Sequence, residues 1–349
     1  MRISGVACII ACALSMSFSA HATRGEFNVE RWYEMLDSVR ARAATENISP
    51  STIDDTLRAP AFIPSIIKSD KNQAEFKLTL DGYLSRTVNP TRIANGQKMR
   101  MTYPTLLSRV DAQFGVPPHI LLAFWGMESN YGVVKSRHKL TDAFFTLMYD
   151  GRRETFFTNQ LIALMKIADK NKLQINDIRG SWAGAMGHFQ FIPTTLAQYG
   201  ADGNGDGRID IINNISDAMF SAGNYLNRLG WDKNQRIVRR VILPADFDLS
   251  LLDGKTKLTL PQWASMGVTN PDGSMIPQND MMAGLVADIA TVTAARDASN
   301  ASVAMDADVV PMPVITAYLT YPNFYRIKKW NNSNWYAIAI ATLADELHR

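Results

Sequence analysis

The sequence predicts a mainly α chain of the α+β class, with a helical body and a small β-rich part toward the C-terminus. Three observations carry this expectation. Apolar residues recur at helical spacing through most of the chain as far as Trp231. Short β-like runs begin only at Ile237, where Pro244, Pro261, Asp253-Gly254 and Asp272-Gly273 punctuate them. With 349 residues, 46% hydrophobic and 20% charged, the chain has apolar material for a sizeable core in two or three lobes. The formal net charge of +3, from 36 basic and 33 acidic residues, leaves no excess to hold a phosphate backbone. Nucleic acid is therefore not expected as a partner.

In chain order, the first 22 residues read as an export leader. Arg2 precedes an apolar run from Val6 to Phe18, and Ala20-His21-Ala22 makes a small-x-small cleavage site before Thr23. The run is shorter than the ~20 residues of a membrane anchor. Ile9-Ile10-Ala11-Cys12 loosely resembles a lipobox, so a lipid-attached cysteine is the alternative, although Cys12 comes very early for it. Cleavage after Ala22 would remove both cysteines, Cys8 and Cys12, leaving an exported chain with no disulfide.

From Phe27 to Gln113 the pattern is helical. Val29, Trp32, Leu36 and Val39 share a face, and Ser49-Pro50 reads as a capped helix start. Tyr83, between Leu80 and Val88, reads on its own as a packing aromatic. Gly115-Val116-Pro117-Pro118 breaks the chain, and a helix is expected from Pro117 or Pro118 to about Asn130. It ends in Phe124-Trp125-Gly126-Met127-Glu128-Ser129-Asn130-Tyr131-Gly132. Glu128 lies one turn beyond Phe124 and Trp125, so its carboxyl emerges among apolar groups at a helix C-terminus; both circumstances would raise its pKa. A solvated Glu at a helix end is the plain alternative.

Helices are expected over Asp142–Tyr149, Phe156–Asp169, Asp217–Leu229 and Ala337–Leu347. The stretch from Gly180 to Pro193 mixes small residues with large aromatics. That composition lets backbone approach another surface closely, in helix packing or in a binding cleft. In Asp202-Gly203-Asn204-Gly205-Asp206-Gly207-Arg208-Ile209-Asp210-Ile211-Ile212-Asn213, oxygen side chains stand at positions 1, 3, 5 and 9 and Gly at 6, as in an EF-hand loop. The expected ligands are Asp202, Asn204, Asp206, Arg208 through its carbonyl, Asp210 and Asn213. Asn213 replaces the bidentate Glu of position 12, so a weakly held, structural calcium is expected, with an ion-free Asx-rich turn as the alternative. Strands are expected over Ile237–Leu243, Lys257–Leu260 and Val314–Thr320; the Ala, Val, Asp and Met of Met281–Asp308 leave helix and insertion equally open.

The sequence contains no Ser/His/Asp order, thiol nucleophile, HExxH or phosphate loop. Glycoside cleavage usually needs two carboxyl groups, about 5–5.5 Å apart for retention or about 6.5–9.5 Å for inversion. Asp142 is the nearest downstream acid, and nothing in the pattern supports it as a partner of Glu128.

Five separated stretches together carry a resemblance. They are Gly126–Gly132, Gly180–Pro193, the Asp202 loop, Ala222-Gly223-Asn224-Tyr225-Leu226, and Tyr321-Pro322-Asn323-Phe324 with Asn331-Asn332-Ser333. In this order they resemble the MltB-type lytic murein transglycosylases over essentially the whole mature chain. The resemblance implies a lysozyme-like helical core and cleavage of the β-1,4 bond between N-acetylmuramic acid and N-acetylglucosamine in peptidoglycan, leaving 1,6-anhydromuramoyl ends. It implies a periplasmic enzyme whose partners are glycan strands, with no cofactor for catalysis. Glu128 matches the single Glu that acts as acid and then base, with the muramoyl N-acetyl group assisting at C1. Ser181 and Gln190 match sugar-binding positions, Met186 and Phe191 apolar contacts, Tyr225 a cleft tyrosine, and Asn331 and Tyr336 positions that close over the cleft. Tyr83 matches a substrate-contacting tyrosine by spacing alone. Trp330 stands where tyrosine is more usual. The implied organisation is a leader over 1–22, an N-terminal helical lobe over 23–103, a lysozyme-like core over 104–232, a β-rich lobe over 233–322 and a C-terminal segment over 323–349. Two alternatives stay open: a muramidase that uses water, and a non-catalytic peptidoglycan-binding scaffold.

Overall fold

The computed structural model describes residues 27–71, 78–134, 137–304 and 314–349. The leader, both cysteines and positions 305–308 of the suspected insertion lie outside the described residues. Among those described, fifteen α-helices and six short strands follow in chain order. The first six helices are α1 (Val29–Thr45), α2 (Pro50–Leu57), α3 (Pro64–Lys71), α4 (Leu80–Thr87), α5 (Pro90–Thr102) and α6 (Pro104–Phe114). Side chains of Asn28, Ser49, Thr79 and Asn89 accept a backbone N–H at the starts of α1, α2, α4 and α5, and Pro opens α2, α5 and α6.

Helix α7 (Pro118–Ser129) is the axis of the molecule. It is apolar all round, and Ile120 through Gly126 are buried, as a helix without a polar face must be. Helices α8 (Leu140–Asp150), α9 (Glu154–Asn171), α10 (Pro193–Tyr199) and α11 (Ile215–Arg228) complete the body, with a two-stranded ladder of β1 (His138–Lys139) and β2 (Arg179–Gly180). The mainly helical class with a small β-rich part expected from the sequence is the class observed.

The sheet lies apart, with its own core. Strands β3 (Val238–Leu243), β4 (Leu258–Thr259), β5 (Met282–Val286) and β6 (Ile315–Thr320) run antiparallel in the order β3-β6-β5-β4. Trp263 of α12 (Leu260–Ser265) is fully buried there and donates its indole N–H to Ala283 O at 2.9 Å. Two expectations need correction. The run Lys257–Leu260 stops as a strand at Thr259, because Thr259 and Gln262 form a capping box that starts α12 at once. Met281–Asp308 is no undefined insertion as far as 304: it supplies β5 and then α13 (Ile289–Ala304).

The chain closes with α14 (Pro322–Trp330) and α15 (Asn334–His348). The side chain of Asn323 is buried; its amide donates to the carbonyls of Asp232 and Gln235 at 2.8 Å each, and its Oδ1 accepts from Asp232 N. This ties the start of α14 to the connection between α11 and β3. Helix α15, capped by Ser333, packs along α7 with Ala337 through Ala341 buried. The C-terminus thereby returns to the catalytic candidate.

Candidate active site

Glu128 occupies the last turn of α7, half-buried. Asn130 and Tyr131, immediately after it, both adopt left-handed backbone at φ 49° and 60°, and Asn130 N–H returns to Gly126 O at 3.1 Å. Asn suits that conformation; a bulky Tyr does not, so packing must hold it. The Tyr131 ring is buried against Trp125, and its hydroxyl sits between α5 and α7. A Cβ on Gly96 would stand 2.3 Å from that hydroxyl and one on Gly126 2.7 Å, so both positions require glycine. Burial pushes the Tyr131 hydroxyl far above its ordinary pKa, and no protein group among the described residues hydrogen-bonds it.

The segment after β2 is clipped to the same helix end. Ser129 Oγ donates to His188 O at 2.6 Å and accepts from Gly132 N at 2.9 Å, and Trp125 Nε1 donates to His188 Nδ1 at 3.1 Å. Burial lowers the His188 pKa, which keeps Nδ1 available as an acceptor. Met186 and Phe191 pair across a tight turn, with N···O distances of 2.9 and 3.0 Å, and Gln190 is held there at φ 48°. Gln190 Nε2 donates to Gly187 O at 2.9 Å, while Ser181 Oγ accepts from Ala185 N at 3.1 Å. Met186 and Phe191 are 1% and 2% exposed, so they form the backing of the site more than its surface.

The last two helices complete the site from the far end of the chain. Trp330 Nε1 donates to Glu128 Oε1 at 3.0 Å, and Tyr336 OH donates to the same oxygen at 2.5 Å. The Trp330 ring lies 4.8 Å from Phe124, 5.4 Å from Phe191 and 4.8 Å from Tyr225, and Tyr225 stacks on Tyr199 at 4.5 Å. Burial, with Tyr199 beside it, raises the Tyr225 pKa, so its hydroxyl stays a donor. Asn331 ends α14 half-buried, and its carbonyl accepts from Ser333 N at 2.8 Å in the turn between Trp330 and Tyr336. Tyr83 is 9% exposed and close enough to interact with the charge of Arg92, whose guanidinium reaches Met127 Sδ at 3.9 Å.

Of the residues singled out from sequence, the structure gathers Phe191, Tyr225 and Tyr336 around Glu128, through Trp330. Sequence reasoning noted Trp330 as a departure but did not assign it to the site; the only signal was an indole in the turn between the last two helices. Asp142 is committed elsewhere: its Oδ1 accepts from Ala61 N at 3.0 Å and pairs with Lys139 at 3.5 Å.

The Asp202 loop folds around its own acceptors. Asp202 accepts from Gly205 N at 2.6 Å and Gly207 N at 2.7 Å; Asn204 Oδ1 accepts from Asp206 N at 3.1 Å, and Asp206 Oδ1 from Arg208 N at 2.8 Å. Asp210 and Asn213 bond each other at 2.9 Å, and buried Asp217 accepts from Gly203 N and Asp210 N, closing the loop base. His188 N donates to Ile211 O at 3.3 Å, which joins this loop to the Met186–Phe191 turn. The donors are all oxygen, which fits a hard cation. Among the described residues, no group of three or more His, Cys, Asp or Glu side chains converges as a metal cage.

Comparison with known proteins gives a consistent result. The model of a transglycosylase SLT domain matches residues 31–345. Membrane-bound lytic murein transglycosylase B of Escherichia coli (strain K12) is 29% identical over 263 residues, which are 74% of this chain and 64% of that protein, so the chain spans just under two thirds of that relative's length. The structure of SltB3 from Pseudomonas aeruginosa in complex with NAG-NAM-pentapeptide superposes with a TM-score of 0.80 at 34% identity, covering 91% of this chain and 79% of that one. The lytic transglycosylase Slt35 of Escherichia coli in complex with calcium gives 0.73 at 26%, covering 91% and 92%.

Proposed function

Since the chain belongs to the transglycosylase SLT domain family, we propose that it is a lytic transglycosylase that cleaves the β-1,4 bond between N-acetylmuramic acid and N-acetylglucosamine in peptidoglycan and leaves a 1,6-anhydromuramoyl end. The observation that carries this reading is Glu128, whose Oε1 receives both Trp330 Nε1 and Tyr336 OH inside an aromatic enclosure. Those two donors orient the carboxyl, and Glu128, as the acid, gives its proton to the glycosidic oxygen as the bond from that oxygen to C1 breaks. The N-acetyl group of the muramoyl residue assists at C1. The sugar's own C6 hydroxyl then attacks C1 and returns its proton to Glu128, an intramolecular step favoured by proximity. One carboxylate serves both steps, in keeping with the engagement of Asp142 elsewhere.

Trp330 and Tyr225 offer rings to the apolar faces of the sugars, with Phe191 and Met186 behind them. Ser181, Gln190 and Asn331 supply amide and hydroxyl groups suited to acetamido and hydroxyl partners, and Tyr83 contributes from α4. Asp202, Asn204, Asp206, Arg208, Asp210 and Asn213 would hold a calcium ion that stiffens the loop without entering the reaction. Removal of the leader after Ala22 and action in the periplasm complete the reading; among the described residues no helix is long and apolar enough to cross a membrane.

The test is mass spectrometry of digested sacculi with the native protein and Glu128→Gln. Anhydromuramoyl products from the native protein only are expected. Hydrated reducing ends would instead identify a muramidase, and turnover indifferent to Glu128→Gln would leave a binding scaffold.

A further inference from the structure

The turn that carries Gln190 is gripped from two sides, and His188 takes part in both grips. On the side of α7, its carbonyl accepts from Ser129 Oγ at 2.6 Å and its ring Nδ1 accepts from Trp125 Nε1 at 3.1 Å. Trp125 is 2% exposed, and among the described residues His188 Nδ1 is the one acceptor its indole N–H has. Because Nδ1 accepts, the ring proton of the neutral imidazole sits on Nε2. The imidazole also lies against Gly132, where a Cβ would stand 2.7 Å from both Cε1 and Nδ1. On the other side, His188 N donates to the carbonyl of buried Ile211 at 3.3 Å, and a Cβ on Gly187 would stand 2.5 Å from that same oxygen. The turn has little room to slide.

These contacts close a ring through the site. Glu128 Oε1 receives Trp330 Nε1 at 3.0 Å, and the Trp330 ring stands 5.4 Å from that of Phe191. Phe191 is paired with Met186 across the turn, at N···O distances of 2.9 and 3.0 Å. Within that turn His188 returns, through Ser129, to the residue next to Glu128. A displacement of the turn therefore reaches Glu128 by two routes, one through the end of α7 and one through Trp330.

We propose that His188 is a positioning residue for the reaction: by accepting from Trp125 Nε1, its imidazole locks the Met186–Phe191 turn to the end of α7 and so holds Glu128 and Trp330 in their working relation. This rests on the reading of Glu128 as the acid that cleaves the glycan. An apolar side chain at 188 would fill the space but leave the buried Trp125 N–H without an acceptor, and a donor in that state pulls its ring toward another partner. Asparagine keeps the bond, because its Oδ1 stands two bonds from Cβ, as Nδ1 does in histidine. The requirement at 188 is an acceptor at that reach. Small displacements matter here, since a misplacement of about 1 Å at a reacting group can cost about 100-fold in rate.

The experiment measures kcat and KM on soluble glycan fragments for the native protein, His188→Leu, His188→Asn and His188→Gln, each at a temperature where circular dichroism shows it folded. His188→Leu is expected to lower kcat by about tenfold with KM within about twofold, and His188→Asn to bring kcat back to within about threefold of native. His188→Gln carries the same amide one bond farther out and should stay slow, which keeps the comparison open if His188→Leu does not fold. Ser129→Ala cuts the other tie to the same turn, so its loss combined with that of His188→Leu should be smaller than the product of the two single losses. The indole N–H signal of Trp330 in nitrogen-15 NMR should move in His188→Leu and keep its native position in His188→Asn. A native kcat in His188→Leu, an Asn variant as slow as the Leu or Gln variant, or losses that simply multiply would overturn the positioning role. If the native protein releases no product from the glycan, the reading of Glu128 itself fails and the positioning role with it, a result distinct from an active protein indifferent to residue 188.

Discussion

Trp330 Nε1 lies 3.0 Å from Glu128 Oε1, although 202 positions separate the two residues in the chain. The contact exists because α14 and α15 return across the end of α7, and the turn between them presents an indole and then, from Tyr336, a phenol to one carboxylate oxygen. That oxygen is held by two donors, which fixes the orientation of the carboxyl.

Removing either donor should therefore slow the reaction, and most cleanly where the ring itself is kept. Tyr336→Phe is expected to lower kcat by about 10- to 100-fold, the scale of a hydrogen bond to a charged group, with KM nearly unchanged. Trp330→Phe should act in the same direction and also raise KM through the lost ring area. Steady-state kinetics on soluble glycan fragments checks this, and an unchanged kcat for Tyr336→Phe would count against the assignment.

Tyr131 and Gly126 make a stability prediction of opposite signs. The buried Tyr131 hydroxyl has no hydrogen-bond partner among the described residues, so Tyr131→Phe should leave stability equal or raise it by up to ~1 kcal/mol. Gly126→Ala would drive a methyl to 2.7 Å from that hydroxyl and should cost ~1–3 kcal/mol. The double substitution should recover part of the loss. Urea unfolding of the three variants decides it.

His119, in the first turn of α7, faces His348 at a ring distance of 4.5 Å. Burial, then His348 and Arg100, hold its pKa down at about 4, with Asp111 opposing. Its folded value is thus below the unfolded value of about 6.5, and between the two the unfolded chain binds more protons. The contribution is complete above pH ~6.5 and is lost as pH falls toward 4. The melting temperature should drop across that interval, and His119→Gln should flatten the drop; parallel pH profiles would refute the assignment.

Chelation addresses the Asp202 loop. EDTA is expected to lower the melting temperature by a few degrees and added calcium to restore it, as for any ligand held only by the folded state. Asp202→Ala removes an oxygen donor and the acceptor for Gly205 N and Gly207 N, so it should lower the melting temperature and abolish the response to EDTA. A native protein indifferent to EDTA would remove calcium from the account.

Much of this architecture was legible along the chain. The apolar run before Glu128 specified a buried helix, Ser49-Pro50 specified a helix start, and Ile237–Leu243 and Val314–Thr320 specified strands, because each depends on neighbours within a few residues. Strand β5 and helix α13 were not legible, since a mixture of Ala, Val, Asp and Met satisfies either geometry until a neighbour pairs with it; β6 on one side and β4 on the other make Met282–Val286 a strand.

The same division holds at the site. The sequence by itself determined which carboxylate stands at an apolar helix end, and its separated motifs named the family to which Glu128 belongs. Only the tertiary structure decided what that carboxylate touches. Hydrogen bonds extend about 3 Å, and no local pattern states which distant indole or phenol will be brought that close. Trp330 and Tyr336 reach Glu128 because Asn323 pins the start of α14 and α15 packs along α7, and those are long-range contacts that exist once the whole core has formed.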